Sequence, residues 1–170
     1  VQVALRGSRN LIDYTQGVTM RNRASSVLQI VSQSADSRGV LTHLSDGAGN
    51  EYEHTLRHDA ETGIFSVRVE YFNRTDREQV LESLQSFSLS GIFNPQNPSP
   101  TDEGLRLIRM TSAWSRECRL KEDEFCDLGL DMSWARYGVK CERFGEVGSM
   151  PNRGYYPFAA VAGGGCTWSV

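Results

Sequence analysis

An antiparallel all-β sandwich is predicted for this chain, and three observations predict it. Apolar residues recur with period two, not 3.6, across most of the sequence. Turn signals built on glycine, proline, asparagine and aspartate return about every ten residues. No stretch carries the apolar stripe of a long amphipathic helix. The runs that qualify amount to roughly eight strands or more, enough for two packed antiparallel sheets with few short helices.

Taken in order, the first 25 residues are weakly patterned. In residues 26–31, Val27, Gln29 and Val31 share one face while Leu28 and Ile30 share the other, which predicts a strand covered on both sides. Residues 32–39 read as a polar, turn-rich connection, residues 40–44 as a strand, and residues 45–50 as a turn cluster. Tyr52, His54 and Leu56 alternate with Glu51, Glu53 and Thr55, a third strand. Residues 59–63 end in glycine and link it, hairpin-fashion, to residues 65–71, where Phe65, Val67, Val69 and Tyr71 alternate most cleanly. Residues 73–76 turn the chain again. Residues 80–89 follow as a strand whose apolar parity changes between Leu84 and Phe87, the mark of a bulge. A helix over residues 76–84 competes, through Thr75 with Glu78 as a capping pair, but the serines at 83, 86, 88 and 90 favour the strand.

Three prolines make residues 92–104 a loop, and residues 105–114 a strand. Residues 119–134 read as a charged, irregular excursion with weak helical content, of which 121–124 is a solvated face. Tyr137, Val139 and Cys141 alternate once more, and residues 145–154 form a glycine-punctuated loop. Residues 156–162 and 166–170 make a final hairpin around Gly163-Gly164-Gly165. Residues 1–170 are expected to form one domain. The chain stops on Trp168-Ser169-Val170 in mid-pattern, so further chain is expected beyond it.

Composition narrows the function classes. Eighteen basic residues are scattered among 21 acidic ones for a net charge of −3, which leaves no electrostatic footprint for nucleic acid. No apolar run reaches the roughly 20 residues of a membrane helix, and the first residues lack the pattern of a signal peptide. Cys118, Cys126, Cys141 and Cys166 fall at spacings of 8, 15 and 25 without a CxxC pair. With only three histidines beside them, they read as free thiols of a cytoplasmic protein, and neither metal nor cofactor is expected.

No complete catalytic constellation stands out. Glycoside hydrolysis needs two facing carboxylates, and no acidic residue here has a context marking it as buried and paired. No Gly-x-Ser-x-Gly elbow and no phosphate-cradling glycine loop occur. Binding is better served by residues 105–117, LRLIRMTSAWSRE. An indole at a strand end, beside a guanidinium and a carboxylate, makes a sugar platform: the ring packs the C–H face of a pyranose and the charged pair holds hydroxyls. Trp114, Arg116 and Glu117 are the candidates, with Tyr155 as a further pocket aromatic. The plainer reading of the same residues is a core tryptophan beside a surface ion pair. Trp134 and Trp168 read as packing residues, and at least one of Tyr155 and Tyr156 as core. Arg136 also suits a sugar cleft by type.

From Tyr71 onward the chain resembles the N-terminal β-supersandwich domain of glycoside hydrolase family 36, the α-galactosidases. Three segments carry the resemblance. Residues 87–92, FSLSGI, are similar to the family's aromatic-and-serine strand before a proline loop. Thr111-Ser112-Ala113-Trp114-Ser115-Arg116-Glu117 is similar to its Ser-Gly-Ala-Trp-Ala-Arg-Glu run. Gly148-Ser149 leading to Pro157-Phe158-Ala159-Ala160 resembles its serine-rich loop followed by Asn-Pro-Phe. Order and spacing agree over about 100 residues. Thr111-Ser112 departs from Ser-Gly, and Met150-Pro151-Asn152-Arg153-Gly154-Tyr155-Tyr156 replaces a histidine-bearing loop.

The resemblance implies a galactose-mutarotase-like supersandwich at the front of a retaining α-galactosidase. The family's two catalytic aspartates lie on a (β/α)8 barrel C-terminal to this domain, so none would be present here. The implied partners are that barrel, an α-galactoside or a related α-linked sugar such as an N-acetylgalactosaminide, and further copies of the chain. In this setting Trp114 becomes a pocket aromatic supported by Arg116 and Glu117. A stand-alone carbohydrate-binding sandwich and a purely structural oligomerisation domain stay open beside it.

Overall fold

The computed structural model describes residues 1–7, 23–89, 104–130, 142, 144–145, 154–163 and 165–170. The fold is all-β, with every sheet antiparallel and a single four-residue helix among the described residues. Its strands form two compact units. The anticipated strand at residues 137–141, Trp134, Arg136 and most of the loops at 92–104 and 145–154 lie outside the described residues. Among the described residues no helix is long and apolar enough to cross a membrane.

The first unit contains β1 (Gln2–Leu5), α1 (Arg23–Ser26), β2 (Gln29–Asp36), β3 (Gly39–Ser45), β4 (Asn50–His58), β5 (Phe65–Asn73) and β6 (Leu81–Gln85). β2 to β5 pair in sequence order as a four-stranded meander, and β1 pairs with β6 as a separate two-stranded sheet. The registers place Leu44, Tyr52 and Tyr71 in one cross-strand row, all on one face because side chains alternate along each strand. That row meets Val3 and Leu5 of β1 and Leu84 of β6, with Ala24 and Leu28 at the margin, and this is the unit's core. The Ser25 hydroxyl ties α1 to β1 by accepting the Val3 N–H and donating to the Val3 carbonyl, both at 3.0 Å.

An aspartate closes each hairpin of the meander. Asp36 Oδ1 accepts the N–H groups of Arg38 and Gly39, Asp46 Oδ1 those of Ala48 and Asn50, and Asp59 Oδ1 that of Glu61. Short acidic side chains suit this work because they reach the backbone two or three residues on. The same bonds hold their carboxyls below the usual range. At Asp36 the Arg38 amide is the main cause, and at Asp59 the Glu61 amide. At Asp46 partial burial pushes upward, and the bonds from Asn50 and Ala48 together outweigh it. Gly39 is required for a different reason: a Cβ there would lie 2.1 Å from the Leu56 carbonyl oxygen.

A pH dependence follows from these turns. Each folded carboxyl ionises below its unfolded value, near 3.9, so the stabilisation is complete above that pH and drains away as pH falls through the folded values. Asp→Asn at 36, 46 and 59 together should flatten this acid limb while keeping the acceptor oxygens. Urea midpoints at pH 7 and about pH 3 measure it; an acid limb as steep in the triple variant as in the parent would sink the account.

The second unit contains β7 (Arg106–Ser112), β8 (Arg119–Glu124), β9 (Gly154–Gly163) and β10 (Cys166–Ser169), ordered β10-β9-β7-β8. Leu105, Leu107, Ala160 and Ala162 are its buried apolar residues. Gly163 pairs with Cys166, leaving two residues for the turn, of which Gly165 has φ +82°. Between the pairs Arg109–Ala159 and Thr111–Tyr155, the single residue Met110 faces the three residues 156–158. Pro157 lies in that interruption, where its missing N–H leaves no ladder bond unmade.

Several expectations need correction. Residues 32–36 continue β2 instead of turning, and β2 is exposed throughout instead of covered on both faces, since none of the described residues buries either face. β1 and α1 lie in the weakly patterned start. The strand anticipated at 80–89 spans only β6, and its irregularity against β1 falls at Glu82. The strand at 105–114 stops at Ser112. The start of the charged excursion at 119–134 is the regular strand β8. Trp168 is not core: it stands 49% exposed on β10, the other edge of its sheet.

Candidate functional site

β7 and β8 form a hairpin whose last pair is Thr111 with Arg119. Across its tip, Ala113 and Arg116 exchange backbone bonds, the Arg116 N–H donating to the Ala113 carbonyl at 2.8 Å and the reverse bond measuring 3.4 Å. Ser115 and Cys118 take left-handed conformations with φ +60° and +55°, unusual without glycine. Glu117 Oε1 accepts the Ser115 N–H at 3.0 Å, which helps to hold that conformation. Trp114 therefore occupies a turn position, not a strand position, and its indole is 78% exposed.

Three of the four sequence candidates meet at this tip. Trp114 and Arg116 are free to face a ligand, while Glu117 already serves the turn backbone. Tyr155 is elsewhere. It stands on β9 opposite Thr111, and its ring lies beneath the Arg109 guanidinium at 5.4 Å. Among the described residues no ring contact joins it to Trp114.

Arg109 is the residue that sequence reasoning missed. Its side chain is only 3% exposed. Phe144 and Tyr155 pack together beside it, with ring centroids 5.2 and 5.4 Å from the guanidinium carbon and 5.4 Å from each other. One terminal nitrogen bonds Asp123 on β8, and the other lies 3.7 Å from Glu142. Lys121 Nζ lies 3.4 Å from the second Asp123 oxygen. A signal was present in the sequence: Leu105, Leu107 and Arg109 share one parity, so a guanidinium on the apolar face needed partners.

Acid–base chemistry finds little support here. The Arg109 hydrogen bond holds the Asp123 carboxyl below the usual range against a smaller opposing effect of burial, the wrong direction for a general acid at neutral pH. Asp36, Asp46 and Asp59 move the same way. The Cys126 thiol is pushed up by its bond to Glu124, away from a reactive thiolate. Cys118, Cys126 and Cys166 are free thiols, and no group of three or more His, Cys, Asp or Glu among the described residues could hold a metal ion.

A shallow hollow of about 350 Å³ on the meander is lined by Val31, His43, Glu51, Glu53, Phe72 and Arg74 among others. Its polar groups already meet one another, His43 with Glu53 at 3.5 Å and Arg74 with Glu51 at 3.3 Å, and Arg74 also covers the Phe72 ring at 5.2 Å. The exposed indole on its ordered tip is the stronger candidate. No family model, curated protein or solved structure matches this chain.

Proposed function

We propose that this chain is a non-catalytic, sugar-contacting β-domain of an α-galactosidase-like glycoside hydrolase. In this reading Trp114 is presented to an α-galactoside while the chemistry is done by aspartates on a barrel elsewhere in the parent protein. One observation carries it: a large apolar ring stands almost fully in water on a turn whose backbone is internally bonded. A turn held in this way pays little further backbone ordering entropy on binding, and the ring offers a flat face to the C–H groups of a pyranose. The resemblance of residues 111–117 to the family's Trp-bearing run supplies the sugar class.

Titrating methyl α-D-galactopyranoside into the purified chain, followed by isothermal titration calorimetry, tests the reading. Saturable binding is expected, and Trp114→Ala should weaken it about tenfold, equivalent to ~1.4 kcal/mol. No turnover of an aryl α-galactoside is expected. Absence of any saturable change, binding indifferent to Trp114→Ala, or hydrolysis by the chain alone would each overturn it.

A further inference from the structure

We propose that Arg109 is a positioning residue that sets the direction of the Trp114 hairpin. β8 is an edge strand, so the hairpin joins the rest of its sheet only through β7 against β9. That ladder breaks just below the tip, where Met110 faces residues 156–158. Backbone pairing is therefore weakest at the place where the angle of the tip is decided. The Arg109 side chain spans the break. It holds β8 through Asp123, while its guanidinium packs against Tyr155, on the tip side of the break, and against Phe144, which belongs to neither hairpin strand. The charged bond to β8 and the cation–ring contact to β9 together tie the two strands across the break, which an apolar side chain of equal volume would not do.

The importance of this arrangement for sugar binding rests on the reading of Trp114 given above, but its test needs no sugar. Arg109→Met keeps the volume and removes the tie, and Tyr155→Leu removes one ring and leaves the guanidinium. Amide hydrogen exchange should speed up about fivefold or more in residues 111–119 of either variant, with residues 159–170 within about twofold of the parent. A merely structural Arg109 would loosen both segments in step. Equal acceleration in the two segments, or none in residues 111–119, overturns the proposal. Should Arg109→Met fail to fold, Tyr155→Leu decides alone. Failure of the sugar titration with selective loosening intact would remove the ligand reading and leave the positioning role standing.

Discussion

Tyr52→Ala is expected to lower the stability of the first unit by about 3–5 kcal/mol, the range for deleting a large buried ring. Tyr52 is 1% exposed at the centre of the only cluster in that unit with fully buried apolar side chains among the described residues. It touches both layers: its row on the meander runs from Leu44 to Tyr71, and Val3 and Leu5 of β1 cover it. Its ring also packs against Tyr71 at 5.3 Å between centroids, and the Tyr71 hydroxyl donates to Asn50 Oδ1 at 2.8 Å. Truncation would thus loosen the β3–β4 turn as well as open a cavity. A whole domain is commonly stable by only about 5–15 kcal/mol, so the loss is a large share of the total. Urea unfolding followed by far-ultraviolet circular dichroism measures it. A loss under about 1 kcal/mol would mean that the two-stranded sheet does not depend on this ring.

The meander was legible because its rules are local. Alternation marks β4 and β5, and Asp or Gly within two or three residues of each strand end marks the turns. β1 was not, since four residues give too short a pattern and its partner lies some 80 residues away at β6. β2 and β8 failed for one shared reason, that neither buries a face. A strand with no buried face need not alternate, so the apolar start of β2 suggested burial, and the sequence RLKEDE of β8 suggested no strand at all. Charge on an edge is what keeps it from pairing with another chain. At the site, Trp114 was found by composition and Arg109 overlooked, although strand parity had put Arg109 on the inner face. Tyr155 was picked out by residue type as well, and its place across from Thr111 brings it against Arg109, a contact that residue type could not foretell.

That buried guanidinium makes an asymmetric pair of results the sharpest expectation for the second unit. Asp123→Ala should lower the melting temperature by of order 10 °C, because among the described residues Arg109 then keeps its charge with Glu142 alone, 3.7 Å away. Arg109→Met should lower it by distinctly less. Replacing a buried charge by an apolar group of similar volume is often near neutral, whereas removing the partner of a buried charge leaves it uncompensated. The carboxylates left behind differ from Arg109 in being reachable by water: Asp123 is 19% exposed and keeps Lys121 at 3.4 Å. Acid should act on the parent as the Asp123→Ala change does. The Arg109 bond lowers the folded Asp123 carboxyl, so its contribution is present above about pH 4 and is lost as pH falls through the lowered value. Thermal unfolding of both variants at pH 7 and at about pH 3 reads all of this in one series. If Asp123→Ala melts at or above Arg109→Met at neutral pH, the pair is not what holds β8 to its sheet, and the rings of Phe144 and Tyr155 must hold Arg109 without it.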